Sequence, residues 1–220
     1  MRSLLGLAFG ALAFSSAPIA AAPLPAATQP PKAAAPEQVS EPAARLVAWV
    51  RTSGDNRGLP FVIVDKVAAK VFVFDRDGAL RGAAPALLGS APGDDSTPGI
   101  GDREMSDIAP AERTTPAGRY LAAYGRAAGG KTVFWVDYET AISLHPVVTA
   151  KPRERRLQRL RSPSANDNRI TFGCINVSAA FYQQYIRNDF KGAGGVVYIL
   201  PETRPLEAVF PTFRLSSLGN

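Results

Sequence analysis

The sequence predicts a mainly β domain, a sandwich or barrel with one or two peripheral helices, and three observations lead there. Short runs of β-branched and aromatic residues recur between Phe61 and Leu200. Clusters of Gly, Pro, Asp and Ser separate them, as turns separate strands. Longer stretches with helical spacing of apolar residues are few, one before the strands and one near their end.

Taken in order, Ser40-Glu41-Pro42 has the chemistry of a helix start, and Leu46, Val47, Trp49 and Val50 follow as a partly apolar face. A helix is therefore expected from about Ser40 to Arg51, ending near Ser53-Gly54. From Phe61 the period becomes strand-like: Phe61 to Val64 and Lys70 to Phe74 form a pair joined by a short turn, and Asp75-Arg76-Asp77-Gly78 closes the second. Ala84 to Leu88 is a candidate third strand. Gly89 to Pro116 is rich in Gly, Pro, Asp and Ser and reads as a long functional loop. Strands are expected at Gly118 to Tyr124, Thr132 to Tyr138, Thr140 to His145 and Gly195 to Leu200, with an amphipathic helix over Ser178 to Asn188.

Composition narrows the chemistry. The chain has 220 residues, and 25 Lys and Arg against 19 Asp and Glu give a net charge of +6. One Cys and one His exclude an intrachain disulfide and a Cys/His zinc cluster. No metal and no cofactor is expected. Met1-Arg2, the apolar stretch Leu4 to Phe14 and the small residues Ala17 to Ala22 have the order of a secretory signal peptide over residues 1–22. Residues 23–42, dominated by Ala, Pro and Gln, read as a flexible linker, residues 43–59 as a helix with its lead-in, and residues 60–220 as the main domain. This reading makes the protein exported, in the periplasm or cell envelope, monomeric and without a membrane span once the leader is removed. A nucleic-acid partner does not suit such a location.

The single Cys lies in Thr171-Phe172-Gly173-Cys174-Ile175-Asn176, just ahead of the second expected helix. A preceding Gly allows close approach of a substrate, and a helix N-terminus would lower the thiol pKa. A lone Cys is also commonly a small buried hydrophobe. The single His ends the apolar run Ala141 to His145, where a structural role is equally ordinary. Taken together, the two make a candidate thiolate–imidazolium pair.

These residues resemble the L,D-transpeptidases of bacterial cell walls, the YkuD-type catalytic domain. The resemblance runs from Phe61 to Leu200: two strands closed by an Asp-x-x-Gly-like turn, Thr115-Pro116-Ala117-Gly118-Arg119-Tyr120, a strand-end His, and the Cys-containing motif. It implies a YkuD-like β sandwich or barrel over residues 60–220. It also implies Cys174 as nucleophile, His145 as its base, and the Pro146 carbonyl as the group orienting the imidazole. Amides around Gly173 and Cys174 would form the oxyanion site, with Thr171 and Asn176 as hydrogen-bonding groups that shape it and contact substrate; Phe172, Arg169 and Arg156, which the resemblance does not cover, are expected as further substrate contacts. The implied partners are peptidoglycan stem peptides and a wall-linked protein as a further acceptor. L,D-carboxypeptidase action, or wall binding without catalysis, is the alternative.

Two features depart from that family. Phe172 stands where a second His is usual. In addition, 25 residues separate His145 from Thr171, and that insertion with its flank carries Lys151, Arg153, Arg155, Arg156, Arg159, Arg161 and Arg169 against Glu154 and Asp167, a net of 7 − 2 = +5. Arg153 to Arg161 is expected as a short helix with Leu157 and Leu160 on one side. It is either a solvated basic face, a lid whose guanidiniums hold stem-peptide carboxylates, or a contact for anionic wall polymer. A sortase-like arrangement fits less well, because the Arg it requires on a strand falls instead at Arg187, inside an expected helix.

Overall fold

In the computed structural model residues 38–213 are described, and within them the mainly β class holds. The expected signal peptide (1–22) and nearly all of the linker lie outside the described residues. The first helix, α1 (Glu41–Ser53), starts inside the stretch assigned to the linker. Ser40 occupies its N-cap position, but the hydroxyl makes no capping bond; Pro42 and Glu41 in the first turn start the helix. Gly54 ends it in the left-handed conformation at φ 67°, where a residue with a Cβ would be strained.

Ten strands follow: β1 (Phe61–Asp65), β2 (Lys70–Phe74), β3 (Leu80–Pro85), β4 (Leu88–Gly89), β5 (Gly118–Arg126), β6 (Thr132–Asp137), β7 (Ile142–Pro146), β8 (Arg169–Thr171), β9 (Ile175–Val177) and β10 (Gly195–Ile199). Eight of them form one sheet in the order β3-β2-β1-β10-β5-β6-β7-β9, and β4 pairs with β8. Two residues past the end of β3, Leu87 exchanges backbone hydrogen bonds of 2.8 and 2.9 Å with Asn176 of β9. The chain itself thereby joins the two ends of the strand order. β8 and β9 are the strands that sequence periodicity missed, being three residues each and too short for any period to register. The expected strand at Ala84 to Leu88 is divided between β3 and β4.

Every residue of β1 is buried because both faces of the sheet are covered. On one face, Leu46, Trp49 and Val50 of α1 pack against Phe61, Ile63, Phe72 and Tyr198. On the other, Val62, Val64, Leu144 and Ile175 meet Phe181, Tyr182 and Ile186 of a second long helix, α3, spanning residues 179–189. Its middle, Tyr182–Ile186, is a π-type turn. The expected helix from Arg153 to Arg161 is interrupted: Pro152–Glu154 is a single 3-10 turn, Arg155 adopts φ 48°, and α2 is only Arg156–Leu160. Its two leucines do not share an environment, since Leu160 is buried and Leu157 is 46% exposed. A last short helix, α4 (Leu206–Val209), packs Leu206 with α1.

A charged cluster lies inside the molecule. Lys66 is fully buried (0% exposed) just after β1. It donates to the carbonyls of Gly93 (2.5 Å) and Thr115 (3.0 Å) and to Asp94 Oδ1 (2.7 Å). Asp94 also accepts from the amides of Glu202 (2.8 Å) and Thr203 (2.9 Å). Burial pushes the Asp94 carboxyl up, but the bonds from Lys66, Thr203 and these amides outweigh it, so the group titrates well below the usual carboxylate range.

A native pKa held below the unfolded one gives stability that is complete above about pH 4 and is lost as pH falls toward the native value. Replacing Asp94 with Asn removes the nearer of the two carboxylates that face the buried Lys66 ammonium and leaves Glu202 Oε1 at 3.5 Å. The expected cost is about 3 kcal/mol at neutral pH. Urea unfolding of wild type and D94N at pH 7, and again stepwise below pH 4, checks this: the gap is widest at pH 7 and narrows as Asp94 of the wild type takes up its proton.

Candidate functional site

The site follows from the pairing of two short parallel strands. β7 and β9 run side by side with Leu144 opposite Ile175 and His145 opposite Asn176. Side chains alternate between the faces of a strand. Leu144 and Ile175, both fully buried, point into the core. The residues on either side of them therefore form a two-by-two patch on the opposite face: Ser143 and His145 from β7, Cys174 and Asn176 from β9 and its lead-in.

Within the patch, Ser143 Oγ lies 3.6 Å from Cys174 Sγ, and Asn176 Nδ2 lies 3.0 Å from His145 Nε2. The other imidazole nitrogen, Nδ1, is 2.8 Å from the carbonyl oxygen of Pro146. A carbonyl can only accept, so Nδ1 carries the proton and Nε2 is the basic nitrogen. Asn176 Oδ1 accepts from Arg156 Nη1 (2.9 Å), and Arg156 Nε donates to Glu154 Oε2 (2.6 Å).

The turn that carries Cys174 is fixed on three sides. Thr171 Oγ1 donates to the carbonyl of Cys174 (2.7 Å) and accepts from the amide of Gly173 (3.1 Å). Thr115 Oγ1, buried beneath, donates to the carbonyl of Gly173 (2.8 Å) and accepts from the amide of Gly89 (2.9 Å). Gly173 itself has φ 134°, and a Cβ there would lie 2.6 Å from Ile142 Cδ1 and 2.7 Å from the Thr114 carbonyl oxygen. No other residue fits without moving the backbone. On the β7 side, Ala141 takes φ 55°, unusual for a residue with a side chain, with its carbonyl oxygen 3.7 Å from Sγ.

The electrostatics favour charge separation. Burial pushes the Cys174 thiol up, but hydrogen bonding and charge from His145, with help from Ser143, bring it below the ordinary thiol value. Burial pushes the His145 imidazole down, and the thiolate and the Pro146 carbonyl bring it above its ordinary value, against an opposing influence from Arg156. The source of activation differs from the sequence expectation. Cys174 is not at a helix N-terminus, because β9 stands between it and α3.

A cavity of about 330 Å³ opens on this patch. Cys174, His145, Asn176, Thr171, Phe172 and Arg156 line it, so six of the residues singled out from the sequence come together. Gly173 sits beneath it in the turn, its N–H already given to Thr171. Pro146 contributes its carbonyl from behind the ring. Arg169 is not brought in: its guanidinium pairs with Glu202 and donates to the Lys66 carbonyl (2.9 Å), so it belongs to the buried charged cluster. Sequence reasoning missed Ser143, although strand alternation from His145 would have found it. It also missed Glu154, and Arg113, whose guanidinium lies 4.0 Å over the Phe172 ring. Among the described residues, no group of three or more His, Cys, Asp or Glu side chains is placed to hold a metal ion. No described helix is long and apolar enough to cross a membrane.

No family model matches the chain, and no curated protein matches it. Among solved structures, the chain is similar to an L,D-transpeptidase from Mycobacterium smegmatis, with 15% identity over 64% of this chain and 58% of that one and a TM-score of 0.39. The helical cell shape determining protein Pgp2 from Campylobacter jejuni matches with 16% identity over 66% of this chain and 49% of that one, at a TM-score of 0.43. The catalytic domain of an E. faecium L,D-transpeptidase matches with 16% identity over 64% of this chain and 95% of that one, at a TM-score of 0.35. The chain thus spans less than two-thirds of the first two of these proteins.

Removing the Ser143 hydroxyl takes away a donor to the thiolate. With Ser143→Ala, the thiol pKa is expected to rise and alkylation of Cys174 by iodoacetamide at pH 7 to slow by about three- to tenfold. A rate-against-pH series on the single thiol reads this directly, and an unchanged series would mean that the hydroxyl does not face the sulfur.

Proposed function

We propose that this chain is an exported cysteine acyltransferase of the L,D-transpeptidase type that acts on peptidoglycan stem peptides in the cell envelope. The observation that carries the reading is the pairing of Cys174 with an imidazole whose Nδ1–H is tied to the Pro146 carbonyl (2.8 Å), with the thiol drawn down and the imidazole drawn up. That combination is suited to a nucleophile and its base. The leader-like residues 1–22 and the motif Thr171 to Asn176 support the location and the substrate class.

In this reading His145 Nε2 takes the thiol proton, and Cys174 Sγ attacks the carbonyl carbon of the stem's penultimate residue. The negative charge that develops on the carbonyl oxygen is met by the amide of Cys174, since Gly173 has given its own N–H to Thr171. The imidazolium then passes its proton to the departing terminal amine, the carbon–nitrogen bond breaks, and a thioester remains. An acceptor amine attacks the thioester, losing a proton to His145, and the sulfur leaves as thiolate. With water in place of the amine the outcome is L,D-carboxypeptidase action. Arg156 on the cavity wall offers a guanidinium to a stem carboxylate. An acceptor amine on a wall-linked protein is accommodated by the same chemistry.

Phe172 favours a second reading, wall binding without turnover, because it supplies no proton where the resembling family has a second imidazole. One experiment separates the two. Purified muropeptides incubated with wild type and with Cys174→Ala, followed by mass spectrometry, are expected to show new cross-links or trimmed stems with wild type alone. His145→Ala is expected to reduce the product by about 10²- to 10⁴-fold. Identical product spectra for wild type and C174A would refute catalysis and leave the binding reading.

A further inference from the structure

His145 is held between two opposed neighbours. Cys174 draws its ring toward the charged form, whereas Arg156 opposes that charge. Arg156 belongs to α2, inside the insertion between β7 and β8, and reaches the imidazole through one intermediary, the side chain of Asn176. The donor and acceptor roles along this path are all determined. A guanidinium N–H can only donate, so the Asn176 atom facing Arg156 is its oxygen. The atom facing His145 is then the NH₂ group, which donates to Nε2. Glu154 accepts from the other side of the guanidinium at 2.6 Å and holds it in place, and Lys151 Nζ lies 4.0 Å from the same carboxylate.

We propose that Arg156, acting through Asn176, is a positioning residue that opposes a proton on His145 Nε2 and so holds back the thiolate–imidazolium pair toward which Cys174 draws the ring. An imidazolium carries a proton on Nε2 and would face the Asn176 NH₂ group donor to donor. Forming the ion pair with Cys174 therefore requires the amide to turn its oxygen toward the ring, which Arg156 prevents while it occupies that oxygen. A carboxylate that draws the guanidinium off Asn176 frees the amide to turn. The proposal rests on the Cys174–His145 pairing given above, and on no particular substrate.

The charged groups around the ring are Cys174 from the β9 side, Arg156 from α2, and Glu154 and Lys151 from the turn that precedes it. Glu154 and Arg156 can be neutralised together, so that the local net charge stays the same. The variant to examine is E154Q/R156M, in the full chain. With one His and one Cys in the sequence, two readouts report on the site without ambiguity. Nitrogen NMR of the imidazole gives its tautomer and titration, and iodoacetamide alkylation against pH gives the thiol.

In wild type the neutral form of the imidazole is expected to be the Nδ1–H tautomer. In E154Q/R156M the imidazolium should persist to a pH about one unit higher, and the alkylation limb should move about one unit lower, roughly tenfold faster at pH 6. In an Asn176→Leu background the same double substitution should add little, because the intermediary is gone. Asn176→Ser serves the same purpose if Leu is not accommodated. Unchanged midpoints in E154Q/R156M, or an undiminished shift in the Asn176 background, would overturn the proposal. His145→Ala keeps the two readings apart. If it leaves the alkylation profile of Cys174 unchanged, the thiol–imidazole pairing fails and the proposed function with it. If it moves that profile upward while E154Q/R156M does nothing, only the role of Arg156 fails.

Discussion

Leu144 must stay opposite Ile175, since a slip of one residue between β7 and β9 would turn the side chains of the slipped strand to the opposite face and take the site apart. β9 is three residues long and lies at the end of the sheet order, so its own ladder is a weak guarantee of register. The protein reinforces it from outside. Leu87 pairs with Asn176 through two backbone bonds, Val147 donates to the Val177 carbonyl at 2.8 Å, and Thr115 anchors the Gly173 turn. Thr115 in turn presents its carbonyl to Lys66, whose ammonium is satisfied by Asp94. The path from the buried ion pair to the nucleophile turn therefore passes through one residue. A buried charge is costly, but here it organises three chain segments, following β1, preceding β5 and following β10, around one ammonium.

The sequence was legible where the physics is local. β1, β2, β5, β6, β7 and β10 lie where β-branched and aromatic runs placed them; β1 and β10 are buried throughout, whereas β5 and β6 keep exposed positions such as Leu121 and Thr132. α1 and α3 lie where helical spacing placed them, each within a few residues. The long stretch before β5 is irregular, as its Gly and Pro content implied, with three isolated 3-10 turns in place of longer elements. What escaped the sequence was set by partners remote in the chain. β8 and β9 exist because β4 and β7 lie alongside, which no three-residue period can announce. Arg169 has the charge of a substrate contact, but Glu202, 33 residues away, claims it. The thiol is activated by His145 and Ser143 in place of a helix end, because the residues after it extend as β9 before any helix begins.

Phe172 and Arg113 complete the electrostatic argument. The guanidinium of Arg113 lies over the ring at 4.0 Å while Nη2 donates to the Ile108 carbonyl at 3.0 Å, so one side chain ties the loop before β5 to the wall of the cavity. Such a contact contributes roughly 0.5–2 kcal/mol, enough to hold a loop in place but not to shape a fold. Its chemical consequence is larger. An aromatic ring that neither donates nor accepts a proton leaves proton handling at the patch to one imidazole. The charge state of that imidazole is then decided between two neighbours, the thiol of Cys174 on one side and the Arg156–Asn176 pair on the other. With no second titrating ring to share the load, a guanidinium carried by a five-residue helix bears, through Asn176 and His145, on the nucleophile that lines the same cavity.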